Sequence, residues 1–131
     1  MDKICIQGGR RLQGRVKTSG SKNATLAIMA ASVLSEGQVM LRNIPRIGDT
    51  HTMIELLNEL GASTYFIDES TLVIDSSSIY RFEASHELVR RMRASFCVLG
   101  PLLARFGYAR VPVPGGCDIG ARPVNFHLDG L

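Results

Sequence analysis

Tryptophan is absent from this chain, tyrosine occurs three times and phenylalanine five times. Lysine and arginine are scattered along it. Nucleic-acid binders gather basic residues on one face and add aromatic side chains that stack on bases, so no nucleic-acid partner is expected. Cysteine is nearly as sparse: Cys5, Cys97 and Cys117, an odd number with no CxxC pair. That spacing offers neither a disulfide framework nor a cysteine-rich metal site, and free thiols fit a reducing compartment. Long apolar runs are missing too. The longest, 24–34, is interrupted by Thr25 and Ser32 and is too short to span a bilayer. Met1-Asp2-Lys3 opens no apolar secretory segment. No membrane partner is expected, and the reading is a soluble, cytoplasmic protein. Neither sign of charge dominates. Fifteen Lys and Arg stand against twelve Asp and Glu, a net charge of +3. A few cations around a small polyanion suit that balance.

What is there is globular. The 131 residues are 45% hydrophobic and 21% charged, enough for one core. Residues 3–8 and 12–18 alternate with period two around Gly9-Arg10-Arg11, which predicts two strands. Residues 24–35 are apolar nearly all round, which predicts a buried helix stopped by Gly37. A strand is expected over 38–43, then a helix capped by Asp49 or Thr50. Met53, Ile54, Leu57 and Leu60 form its stripe, and Gly61 closes it. Residues 63–67 and 71–75 alternate around Asp68-Glu69-Ser70 and predict a hairpin.

The pattern then restarts. A helix is expected over 86–105, kinked at Gly100-Pro101 and ended by Gly107. A strand over 108–113 and a helix beginning at Pro123 follow. One complete β-α-β-α-β-β unit and the start of a second make an α/β fold. The last helix has no terminal cap before Leu131, so the chain is expected to be part of a longer polypeptide whose remainder completes the fold.

Three segments carry chemistry. Ser19-Gly20-Ser21-Lys22-Asn23 enters a helix. Free N–H groups and the helix dipole attract anions there, and Lys22 opposes that dipole unless an anion sits between. The plain alternative is a solvated lysine beside an ordinary cap. In Arg90-Arg91-Met92-Arg93 the first and last arginines fall one helical turn apart. Guanidinium forks grip phosphate or carboxylate, or else simply face water. The stretch 112–123 holds Pro112, Pro114, Gly115, Gly116, Cys117, Asp118, Gly120, Arg122 and Pro123. A thiol among glycines is not core packing, unlike Cys5 and Cys97, which are read as core. Arg122 nearby favours a reactive thiolate, and Asp118 opposes it. An incidental surface cysteine is the competing reading.

Lys22-Asn23 after Ser-Gly-Ser, Met-Arg-Ala-Ser at 92–95, and the Pro-Gly-Gly-Cys loop continuing to Arg122-Pro123-Val124 come in an order that resembles the UDP-N-acetylglucosamine enolpyruvyl transferases over the whole chain. The resemblance implies an inside-out α/β barrel of two lobes built from β-α-β-α-β-β units, here truncated. Residues 1–21 would be strands of the far lobe. Residues 22–131 would be the first unit and part of the second of the other lobe.

It implies two substrates, phosphoenolpyruvate and UDP-N-acetylglucosamine, no cofactor, and a place in cell-wall peptidoglycan synthesis. Lys22 and Asn23 would contact phosphoenolpyruvate, and Arg93 the sugar nucleotide. Cys117 would donate a proton, with Lys22 as its catalytic companion, and would be the thiol that fosfomycin alkylates. Arg122 would meet phosphate. Arg122, Pro123, Val124, Asn125 and Phe126 would line the nucleotide site. His51, Asp118 and Asn125 depart from the residues usual at those positions. The family's catalytic aspartate and a further arginine fall beyond Leu131, which implies that this segment by itself is inactive. The alternatives are a shikimate-type enolpyruvyl transferase and an anion-binding module without turnover.

Overall fold

The computed structural model describes residues 3–114 and 123–131. Helix α1 (Lys22–Ala31) starts where the Ser21 hydroxyl accepts the Ala24 N–H at 3.4 Å, and it continues into a 3-10 turn, Ser32–Leu34. Leu26, Met29, Ala30 and Val33 are buried on one side. Ala24, Ala27, Ile28 and Ala31 are exposed on the other, Ile28 by 50%. The helix expected to be buried all round is therefore half-buried, because no described residue covers its second face.

Strands β1 (Gln38–Leu41), β2 (Ser63–Phe66) and β3 (Leu72–Asp75) form an antiparallel sheet in the order β1-β3-β2. The register sets Met40 and Tyr65 on either side of Val73, and Leu41 and Phe66 on either side of Leu72. Alternation sends these two rows to opposite faces. The Leu72 row joins the core, while Val73 is buried on the outer face between its cross-strand neighbours. The hairpin turn is held by the Asp68 carboxylate, which accepts the N–H groups of Ser70 and Thr71 at 2.7 Å each.

Helix α2 (Gly48–Leu60) buries Met53, Leu56, Leu57 and Leu60 completely, with Ile54 partly buried beside them. Its N-cap is Ile47, not Asp49 or Thr50. Both expected caps lie in the first turn instead. The Thr50 hydroxyl is buried and donates to the Pro45 carbonyl at 2.8 Å, and Asp49 lies at the positive end of the helix dipole. Gly61 ends the helix at φ 105°, where an added Cβ would meet the Ser78 carbonyl at 2.8 Å.

Five other expectations are corrected. Residues 3–8 and 12–18 form no strand, and every residue from Lys3 to Ser19 is exposed. A strand needs a hydrogen-bonding edge, and no described residue offers one to this segment. The helix expected over 86–105 breaks at Met92, which is extended at φ −148° and ψ 118°. It divides into α3 (His86–Arg91), a 3-10 segment Arg93–Val98, and α4 (Leu99–Phe106). Pro101 falls in the first turn of α4, where a missing N–H costs least, so it does not mark the kink.

Residues 108–113 make a single parallel bridge, Glu83 with Arg110, rather than a strand. Pro123 stands outside α5 (Asn125–Gly130), whose N-cap is Val124. Arg105 ties the layers together: its guanidinium donates to the Val33 and Ser76 carbonyls at 2.9 Å each. Among the described residues no helix is long and apolar enough to cross a membrane.

Candidate functional site

Lys22 is the first residue of α1, and its ammonium lies 2.8 Å from the Asp49 carboxylate. A lysine set against a helix dipole is expected either to meet an anion or to be solvated. Here a carboxylate comes from the first turn of α2. Asp49, expected as a cap, is instead the neighbour of Lys22, and nothing in the linear order pairs the two helix starts. Asn23 follows Lys22 and is exposed. The chain reaches α1 through Gly20, where a Cβ would lie 1.9 Å from the Asn43 carbonyl oxygen. Asn43 has φ 60°, and the Ile44 N–H after it donates to the Ser70 carbonyl at 2.8 Å. Only glycine lets the strap before Lys22 lie against this loop.

Arg93 opens the 3-10 segment and is half-buried with its interactions engaged. The extended Met92 separates it from Arg90, so the two arginines do not share a helical face as expected. Arg90 is exposed. Arg91 faces acids: it pairs with Glu55 at 2.7 Å and with Glu87 one turn back on α3. The hydrogen bond that its guanidinium donates to Glu87 is the main reason its pKa is raised further, with Glu55 adding to it. Arg91 thus lies on an exposed face, as the water-facing alternative has it, but paired with acids there.

Val124 is buried, whereas Pro123, Asn125 and Phe126 are exposed, Phe126 by 82%. His127 on α5 meets Phe96 edge-on at 6.0 Å. Between them opens a shallow cavity of about 400 Å³, lined by Phe96, Cys97, Leu99, Phe126, His127 and Leu131. Cys97 is exposed at its rim rather than in the core, and partial burial pushes its thiol pKa up. Cys5 is also exposed, because the strand expected to bury it does not form. Both cysteines therefore depart from the core role read from the sequence.

Helix α1 packs against the 93–98 segment, and that segment meets α5 through Phe96 and His127. Lys22 and Asn23, Arg93, and Asn125 and Phe126 thus ride on three elements in serial contact. Cys117, Asp118 and Arg122 lie outside the described residues. The chain enters that stretch at the buried Pro114 and leaves it at Pro123. The described cations therefore form only part of the expected constellation.

Residues 6–131 match the family model for EPSP synthase (3-phosphoshikimate 1-carboxyvinyltransferase). The chain is 52% identical over 131 residues to a UDP-N-acetylglucosamine 1-carboxyvinyltransferase of Dichelobacter nodosus. It is 54% identical over the same length to one of Desulforapulum autotrophicum, and 52% identical to one of Coxiella burnetii. Each alignment takes in 100% of this chain but only 31%, 31% and 30% of the relative. The chain therefore spans about a third of the length of the curated relatives it matches. Among solved structures, the enolpyruvyl transferase NikO from Streptomyces tendae superimposes with a TM-score of 0.68 at 33% identity. That match covers 78% of this chain and 24% of NikO.

Proposed function

The chain belongs to the EPSP synthase family, and from that membership we propose that it forms the amino-terminal part of a UDP-N-acetylglucosamine 1-carboxyvinyltransferase. Such an enzyme moves the enolpyruvyl group of phosphoenolpyruvate onto the 3′-hydroxyl of UDP-N-acetylglucosamine and releases phosphate. The observation that carries this reading is identity of 52% and 54% across all 131 residues to relatives of that name. The product feeds peptidoglycan synthesis in the cytoplasm.

The reaction adds and then eliminates. Cys117 gives its proton to the methylene carbon of phosphoenolpyruvate. The sugar hydroxyl bonds to the adjacent, electron-poor carbon and loses its own proton. A proton then leaves the new methyl group, the bond to the phosphate oxygen breaks, and the enol ether forms. Lys22 and Asn23 hold phosphoenolpyruvate, and Lys22 balances charge that grows on the departing phosphate. Arg93 holds the sugar nucleotide, Arg122 meets phosphate, and Pro123, Val124, Asn125 and Phe126 line the nucleotide site. Exclusion of water by the 112–123 loop protects the intermediate. Fosfomycin, which alkylates thiols of this type, would act at Cys117.

Residues 1–21 act as strands of a far lobe in this reading. Their support is exposure: Ile4, Ile6, Leu12 and Val16 are each about 90% accessible, an apolar alternation with no partner among the described residues. A catalytic aspartate and a further arginine come from residues outside this chain.

A second reading has a specific basis, because the matching family model carries the name of a 3-phosphoshikimate transferase. A phosphate-release assay on the full-length polypeptide, with phosphoenolpyruvate and either acceptor, separates the two. Turnover with UDP-N-acetylglucosamine supports the proposal. Turnover with shikimate 3-phosphate alone favours the second reading, and none with either leaves an anion-binding module.

A further inference from the structure

We infer that Asp49 is a positioning residue, holding the Lys22 ammonium in place for the anion it serves. The inference rests on the proposed role of Lys22 in gripping phosphoenolpyruvate. Lys22 is 51% exposed on a long, flexible stem, and such a side chain alone samples many positions. Asp49 is short and carried on an anchored frame. Thr50, its neighbour, is fully buried and bonds the Pro45 carbonyl, and Ile44 is tied to Ser70. On the other side, the Gly20–Asn43 contact seats the entry to α1 against the same loop. Two helix starts are thereby fixed beside each other, and the carboxylate of one sets where the ammonium of the other rests.

The pair does not use up the lysine. An ammonium has three donor hydrogens, and one contact with Asp49 at 2.8 Å leaves two for a bound anion. The carboxylate also offsets the penalty of a cation at the positive end of α1. Exposed ion pairs add little to stability, so the consequence of this one is geometric. The reacting phosphate must find its cation already aimed, and misplacement by an ångström slows a reaction far more than it unfolds a protein.

The test uses the full-length polypeptide with the variants Asp49→Asn, Asp49→Glu and Lys22→Ala. Asp49→Asn should raise the KM for phosphoenolpyruvate about tenfold while the KM for the sugar nucleotide changes less than about twofold, with partial rescue by Asp49→Glu. On the Lys22→Ala background, Asp49→Asn should add nothing further, because Asp49 acts through that lysine. Additive losses, or equal effects on both substrates, overturn the inference. A readout independent of activity keeps the two readings apart: amine methylation read by mass spectrometry should label Lys22 up to about fivefold faster in Asp49→Asn. Unchanged labelling overturns the pairing whether or not the wild type transfers enolpyruvate. An inactive wild type with faster labelling overturns the enzyme reading, and the positioning role with it, and leaves the Asp49–Lys22 pairing standing.

Discussion

Cys97 carries a thiol whose pKa is raised by desolvation, so little of it is thiolate near neutral pH. That disfavours it as a target for an electrophile, although it is exposed. Cys117→Ser in the full-length enzyme should therefore abolish the fosfomycin adduct and suppress turnover. Mass spectrometry finding the adduct on Cys5 or Cys97 would reject Cys117 as the proton donor. The sequence draws attention to residues whose chemistry is unusual for their place: a lysine at a helix start, a thiol among glycines. It draws none to two ordinary residues that become important by meeting. Asp49 looks like any first-turn acid until Lys22 is laid against it.

Among the elements, turns and caps reveal most. The β2–β3 turn depends on Asp68, whose pKa is lowered chiefly by the backbone N–H of Ser70, with Thr71 assisting. A carboxyl depressed in the folded state contributes stability that is present above the ordinary carboxylate range. That stability is lost as pH falls through the lowered value. Urea titrations below about pH 4 should show a steeper loss of stability for the wild type than for Asp68→Asn. Equal slopes would remove Asp68 as a cause of acid sensitivity.

Gly61 closes α2 in a conformation that few residues other than glycine adopt. At φ 105°, with the Ser78 carbonyl 2.8 Å from the position of a Cβ, Gly61→Ala should cost about 2 kcal/mol in urea unfolding. A variant as stable as the parent would mean that the 78–80 segment moves aside freely. Gly61 was legible because a glycine after an amphipathic stripe reads as a helix stop. The break at Met92 was not, because Arg91, Met92 and Arg93 are all good helix formers. What interrupts them is tertiary: Val89, Met92 and Phe96 are all buried, and the extended Met92 re-aims the chain between them.

For the whole molecule, the balance of covered and uncovered surface decides behaviour. Leu26, Met29, Val33, Met53, Leu56, Leu57, Leu60, Leu72 and Ile74 make one core shared by α1, α2 and the sheet. The 3–19 segment and the outer face of α1 remain open to water. The 131-residue chain should accordingly bind a hydrophobic dye and release no phosphate from the two substrates. Measurable turnover by this segment alone would refute the dependence on residues outside it.

The α1–β1–α2–β2–β3 order, the helix-stopping glycines and the motif order that marks the family can be read along the chain, because these depend on neighbours in the sequence. Packing alone set the rest: the first segment has no strand partner among the described residues, α1 is covered on one side, the 86–105 stretch bends at Met92, and Asp49 pairs with Lys22. Each of those depends on what lies across space, and hydrogen-bonding edges, covering faces and counter-ions are supplied by residues far away in the chain.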